Sequence, residues 1–435
     1  MNKALLFFII FLTFIENVSA QSKDEIKIEN LNALCKIAIH NNPNLLVYNL
    51  KREQLGYDFK TSQSFYYPQV AASFNGQDNL IQSVTPVPGI IFNKTGTVYL
   101  QFGKHYTYNS GLTLTKDLFD WQAMLQSKIA RENIELNNVQ QNAYIQTLKT
   151  QVGQYYYAAL VAKASLAIAQ KDLALADSIY KVTQDKFTQG LTEAASLNQA
   201  LINKNNIKQN IYQSEQLYNQ AIANIKILAG LNKDTKLSLN EIFFENTAAQ
   251  SMALGTDKTL APYLNNVTIV ELQEKAQRAA YLPKISATGY LGFQEFRDKF
   301  EMSFAKNAWT DYQYIGLGLN WNLFTGFSNS NKLKSISTQK KISEENYKAA
   351  KDQSAINDSL LLNNFDIYGK IVATSKSNFD LYGKNLDLSL QKFREGLIGI
   401  DSYFKTFQDY LTAENTYLNN FSNLLTTKAS IEARQ

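Results

Sequence analysis

The chain has 435 residues, 45% of them apolar, with 43 basic against 38 acidic residues and a net charge of +5 spread along its length. That balance, without blocks of like charge, excludes the footprint of a nucleic-acid binder. The only cysteine, Cys35, allows no internal disulfide, and the only histidines, His40 and His105, have no carboxylate or thiol at ligand spacing, so neither a metal site nor a His-based triad is expected. No cofactor and no enzymatic activity are expected.

Residues 1–20 read as an export signal: Lys3, an apolar run from Ala4 to Ile15, then Val18-Ser19-Ala20 as a small-residue cleavage site. An N-terminal anchor is the alternative, but Glu16 and Asn17 end the run too early to span a bilayer. Beyond residue 20 no run approaches 18 apolar residues, which excludes membrane-crossing helices in the mature chain. Residues 21–29 are charged and are expected to be flexible. Cys35 lies in a helical stretch and reads as a buried, inert thiol.

From Leu31 to Ser62 the pattern is helical, broken at Asn41-Asn42-Pro43-Asn44. Past Pro68 the period changes from 3.6 to 2. Val70, Ala72, Phe74 and Gly76 alternate with polar neighbours; residues 82–106 read as a long loop; then Tyr108, Ser110, Leu112 and Leu114 alternate with Thr107, Asn109, Gly111, Thr113 and Thr115. The second half repeats this after Pro283. Ile285, Ala287, Gly289, Leu291 and Phe293 form one face, a loop runs near 297–311, and Ile315, Leu317, Leu319 and Trp321 alternate against Tyr314, Gly316, Gly318 and Asn320. The pair Gly316-Leu317-Gly318 lies within this strand and lacks the rest of a phosphate-cradling loop.

Aromatic residues gather at the strand ends, from Phe65, Tyr66, Tyr67 and Phe102 in the first half to Trp309, Tyr312, Trp321 and Phe324 in the second. Alternating segments of about ten residues with aromatic ends fit a transmembrane β-barrel; a soluble sandwich with one buried face shares the alternation. Four strands cannot close a barrel, since the smallest have about eight. In a membrane, several chains would have to share one barrel.

The rest of each half is a long helical hairpin. From Leu148 a 4,3 step visits Val152, Tyr155, Ala159, Ala162, Leu166, Ala169, Leu173, Ala176, Tyr180, Thr183 and Phe187, all but Thr183 apolar or aromatic, as in a coiled-coil seam. Residues 121–187 contain no proline and would make a rod of roughly 100 Å. The seam ends at Lys186-Phe187-Thr188-Gln189-Gly190-Leu191, and a second seam, with Phe365, Tyr368, Val372, Phe379, Tyr382 and Leu386, ends at Lys392-Phe393-Arg394-Glu395-Gly396-Leu397, 206 residues later. A second helical pattern follows each turn: Leu197, Leu201, Ile211, Leu217 and Ile225 after the first, and Phe404, Phe407, Leu411, Leu418, Phe421 and Leu425 after the second. The division expected is a first repeat at 21–230, a mixed, turn-rich cross-piece at 231–262, and a second repeat at 263–435.

The order of export signal, Asn42-Pro43 helix, Pro68 strand pair, Leu118-Phe119 before a long helix and Lys186-Phe187-x-x-Gly190-Leu191, repeated as Pro283-Lys284-Ile285, Leu323-Phe324 and Lys392-Phe393-x-x-Gly396-Leu397, resembles the TolC-like outer-membrane efflux proteins over nearly the whole mature chain. The resemblance implies an α+β membrane protein: a homotrimer whose chains each give four strands to one 12-stranded outer-membrane β-barrel, continued by a long α-helical barrel across the periplasm. It implies a channel of a tripartite efflux or type I secretion system, partnered by a periplasmic adaptor, an inner-membrane transporter and outer-membrane lipid. An exported coiled-coil structural or surface protein is the alternative.

On this reading Gly190, Leu191, Gly396 and Leu397 form the adaptor-docking tips, the glycines ending their helices at positive φ. Asp401, with Ser402 and Lys405, is the candidate periplasmic constriction; a cap on the following helix is the competing role for Asp401. Leu112, Leu114, Leu317 and Leu319 are expected to face lipid, and Gln77, Thr113 and Asn320 the lumen.

Overall fold

The structure, a computed structural model, describes residues 25–101, 103–239, 253–305 and 307–435. The expected export signal, Phe102 and part of the 231–262 cross-piece lie outside the described residues. The chain divides into two compact units. One comprises residues 50–138 and 262–349, the other the remaining segments up to 49, 139–261 and 350–435. Each draws on both halves of the sequence.

In the first unit, β2 (Gln69–Asp78), β5 (Tyr106–Phe119), β7 (Lys284–Arg297) and β8 (Thr310–Asn320) form an antiparallel sheet in the order β2-β5-β7-β8. The second strand of the first pair, β5, and the first strand of the second pair, β7, lie inside, and β2 and β8 form the edges. The 82–106 stretch, expected as a plain loop, contains the hairpin β3 (Val84–Pro88) and β4 (Thr97–Gln101). Its turn uses Asn93 and Gly96 at positive φ, and Gly89 has no room for a Cβ against the carbonyls of Lys94 and Gly96. The helix Ala261–Ala279 packs Ile269 and Ala276 against Ile129.

The second unit is built on long helices. Among the described residues the α-helices are α1 (Leu31–Asn41), α2 (Pro43–Ser62), α3 (Trp121–Thr188), α4 (Ala194–Leu228), α5 (Ala261–Ala279), α6 (Ser328–Arg394) and α7 (Ile400–Glu432). One core joins Leu148, Val152, Ala159 and Tyr156 of α3 to Tyr417, Phe421 and Leu425 of α7 and to Leu34 and Ala38 of α1. A second joins Ala176 and Ile179 of α3, Ala200 and Ile207 of α4, Leu386 and Phe393 of α6, and Tyr403 and Phe407 of α7. Thr183, the polar member of the first seam, is fully buried, its hydroxyl donating to the Ile179 carbonyl at 2.8 Å, so the helix satisfies it internally.

Two expectations are corrected here. Residues 25–28 are not a flexible leader: they form β1 (Glu25–Ile28), which pairs in parallel with β6 (Lys236–Leu239) and buries Ile28. On α4, Leu201 and Leu217 are exposed, and the buried face runs through Ala200, Asn203, Ile207, Ser214, Ala221 and Ile225. That face keeps the 4,3 step but intersperses Ile207 and Ile225 with the small or polar Ala200, Asn203, Ser214 and Ala221, which let neighbouring helices approach closely, so hydrophobicity alone misplaces most of the stripe. Cys35 is buried, and burial pushes its thiol up to about 11, leaving it inert.

The break at Asn42 is tied into the fold. Its side-chain amide donates to the Leu228 carbonyl at 2.8 Å, and its Oδ1 accepts from the backbone of Asn44 and Leu45. The chain just past α4 lies against it, and a Cβ on Gly230 would meet the Asn41 carbonyl at 2.3 Å.

Candidate functional site

Cross-strand register decides which sheet residues share a face, because directly paired residues point the same way. Leu114 pairs with Val70 and Gly289, Leu112 with Ala72 and Leu291, Leu317 with Ala287, and Leu319 with Ile285. The four leucines named from the sequence therefore lie on one face with Val70, Phe74, Leu291, Phe293 and Ile315, and all four are exposed in the single chain. Thr113, Gln77 and Asn320 lie on the other face, among Ser73, Asn75, Thr107, Asn109 and Thr115. That face also carries a tyrosine cluster absent from the sequence reading. Tyr290 stacks on Tyr314 with centroids 5.6 Å apart and meets Tyr312 at the same distance, and its hydroxyl reaches across Gly111 and Gly292, where a Cβ would clash.

At the strand-to-helix junction, Asp120 caps α3 by accepting from the Ala123 N–H at 2.9 Å and pairs with Lys284 of β7 at 2.6 Å. Nothing in the periodicity singles out Asp120; a carboxylate directly before a long helical run is the signal that could have found it.

The two hairpin turns have the same backbone. In the first, the Leu191 N–H donates to the Lys186 carbonyl at 2.8 Å and the Gly190 N–H to Phe187 at 3.0 Å; in the second, Leu397 donates to Lys392 at 2.8 Å and Gly396 to Phe393 at 3.2 Å. This paired pattern is the Schellman helix ending, which places the glycine in the left-handed region. Gly190 has φ +73° and Gly396 φ +74°, with open space where a Cβ would stand, so the conformation rather than crowding calls for glycine. Leu191 and Leu397 are exposed.

The side chains of the turns are not equivalent. Phe187 is 40% exposed, whereas Phe393 is 2% exposed, stacked on Tyr403 at 5.8 Å with the Lys186 ammonium 4.3 Å from its ring centroid. A cation over an aromatic face is attractive, so this contact joins the end of α3 to the end of α6.

Asp401 and Ser402 stand in the first turn of α7, with Lys405 one turn on, all exposed. The N-cap is Gly399, which has no side chain to cap with. Asp401 is therefore not the cap residue, and its carboxylate lies near the positive helix end. Among the described residues Asp401 and Lys405 form no ion pair.

Two further polar clusters lie on the helices. Asp257 accepts from Gln146 at 2.9 Å, from Ser354 at 2.7 Å and from Thr259, and lies 3.5 Å from Arg434, which also pairs with Asp358. Burial would raise its carboxyl, but the hydrogen bonds from Ser354, Thr259 and Gln146 hold it at about 2. Asp172 of α3 and Glu414 of α7 share a hydrogen bond inside the bundle.

Residues 34–231 match the sequence profile of the outer membrane efflux protein family. The fold is shared with solved structures: a membrane protein from Pseudomonas aeruginosa (TM-score 0.77, 15% identity, 93% of each chain covered); the CmeC outer membrane channel of Campylobacter jejuni (0.74, 16%, 93% of this chain and 85% of that one); and the MtrE outer membrane channel of Neisseria gonorrhoeae (0.71, 16%, 93% and 88%). The family match covers less than half of the chain, and the likeness to the solved structures is one of fold. No curated protein matches its sequence.

Proposed function

We propose that this chain is an outer-membrane efflux protein, the outer-membrane duct of a tripartite efflux or type I secretion assembly, acting as a homotrimer. The observation that carries the reading is the four-stranded sheet, apolar on one face and polar on the other, whose edge strands β2 and β8 carry unpaired ladders of 10 and 11 residues. Open edges of that length call for partners, and backbone in hydrocarbon must be fully paired. Three copies joined β8 to β2 would close a 12-stranded barrel with Leu112, Leu114, Leu317 and Leu319 toward lipid and Thr113, Gln77 and Asn320 toward water. The long hairpins would form the periplasmic duct, with Gly190, Leu191, Gly396 and Leu397 meeting an adaptor that links to an inner-membrane transporter. Asp401, Ser402 and Lys405 would line the narrow entrance, where three carboxylates about one axis favour cations.

The test has two parts. Paired cysteines on facing positions of β2 and β8 should form a covalent trimer in outer membranes, and a photocrosslinker beside Gly190 or Gly396 in cells should capture a periplasmic adaptor. Monomers alone in the first assay would sink the shared barrel. A tip that captures no periplasmic protein while the trimer forms would sink the adaptor role.

A further inference from the structure

The β7–β8 connection, on the apolar face of the sheet, encloses a groove of about 720 Å³. Its floor is one register row across all four strands, Phe74, Ser110, Phe293 and Asp311, and its wall is Met302, Phe304 and Trp309. The row lies four residues inside the outer strand ends, Asp78, Tyr106 and Arg297, about 13 Å along the strands at about 3.3 Å per residue.

The wall is a built one. Glu295, 1% exposed on the same face, accepts from the Ser303 N–H at 3.1 Å and is held by Arg297 at 2.6 Å. The Trp309 indole N–H donates to the Ser303 carbonyl at 2.7 Å, fixing the ring over the groove. Phe304 is nevertheless 86% exposed. A large aromatic left uncovered beside an apolar groove calls for an apolar occupant.

We infer that the groove holds one acyl chain of a lipid of the surrounding bilayer, with the Ser110 hydroxyl placed to donate to its ester carbonyl. The inference rests on the proposed barrel orientation, which sets this face against hydrocarbon. The groove continues the apolar strip of Leu112 and Leu291, the residues next along the strands on the same face, so a chain can enter from the membrane without crossing polar surface. A free amphiphile arriving from water would have to pass the charged rim of Arg297, Asp298 and Glu301.

Two single-tryptophan forms of the full-length protein test this. One keeps Trp309 (Trp121→Phe, Trp321→Phe); the other keeps Trp321 (Trp121→Phe, Trp309→Phe), an exposed ring at the opposite end of the strands that samples ordinary boundary lipid. Both are reconstituted in phosphatidylethanolamine vesicles doped with a minor fraction of its brominated-acyl form, a contact quencher. Trp309 emission should fall by more than twice the fall at Trp321, and filling the groove with Ser110→Leu should bring the two to parity. Equal quenching in the unfilled protein would mean boundary lipid only, and no quenching of Trp309 would place the groove away from lipid; either overturns the inference. Conductance measured in the same vesicles separates this outcome from failure of the channel reading, since a conducting protein with an unquenched Trp309 overturns the groove alone.

Discussion

Replacing Glu414 by glutamine should stabilise the protein, and more at alkaline than at acid pH. Glu414 and Asp172 are 5% and 6% exposed and hydrogen-bonded to each other, with the Tyr410 hydroxyl donating to Asp172 at 3.5 Å. The other charged groups facing this cluster are Lys171 on α3 and Asp387 on α6. Burial first, and then the charge of Asp172, push Glu414 from 4.5 up to about 9, and burial raises Asp172 as well. The pair thus holds one proton through neutral pH, titrating as a unit. The unfolded chain gives that proton up near the ordinary glutamate value, so between there and about 9 the folded state binds more protons and stability falls as pH rises. Keeping the proton at pH 7 costs about 3 kcal/mol, at about 1.4 kcal/mol per pH step. Glutamine donates to Asp172 with no proton to take up, and should recover about 1–3 kcal/mol at pH 7, more at higher pH and nothing near the ordinary glutamate value. The thermal midpoint of the detergent-solubilised protein, followed by circular dichroism at fixed protein concentration, should rise by a few degrees at neutral pH. A midpoint lowered at alkaline pH, or a gain independent of pH, would refute the shared proton.

Asp257→Asn should act in the opposite sense. Its depressed carboxyl contributes stability above the ordinary aspartate value that is lost as pH falls toward about 2, so the variant should lose about 2 kcal/mol at pH 7 and nothing in strong acid, read from the same melts. Leu114→Arg should lower trimer yield in outer membranes, at about 2–4 kcal/mol for a lipid-facing arginine near mid-membrane, while Thr113→Arg on the opposite face should assemble normally; equal yields would reject the assignment of faces. Gly396→Val forces a β-branched residue to φ +74°, at more than about 1–2 kcal/mol, and should reduce export while trimers persist; loss of trimers, or full export, leaves tip docking unsupported. Asp401→Asn should lower cation selectivity in planar bilayers if the threefold entrance is real, and unchanged selectivity would remove Asp401 from it.

What the sequence determined was whatever is written in local period. The two strand pairs, the long seams and the glycine turns rest on alternation, the 4,3 step and the requirement for positive φ, each a property of a few neighbouring residues, and Gly190 and Gly396 adopt the expected conformation. The buried stripe of α4 was not legible, because its members Ala200, Asn203 and Ser214 are small or polar and face the core through the approach of other helices. Nor were Asp120, Asp257 and the Asp172–Glu414 pair. Each is an ordinary acidic residue until a partner arrives from far along the chain: Lys284 for Asp120, Ser354 and Arg434 for Asp257, and Glu414 for Asp172. The twin motifs Lys186-Phe187 and Lys392-Phe393 mark the same division. Their backbones are alike because hydrogen bonds within one helix end make them so. Only the tertiary structure decided that Phe393 is buried under Lys186 and Tyr403 while Phe187 faces outward, since burial depends on which other helix lies opposite, and local pattern carries no record of that.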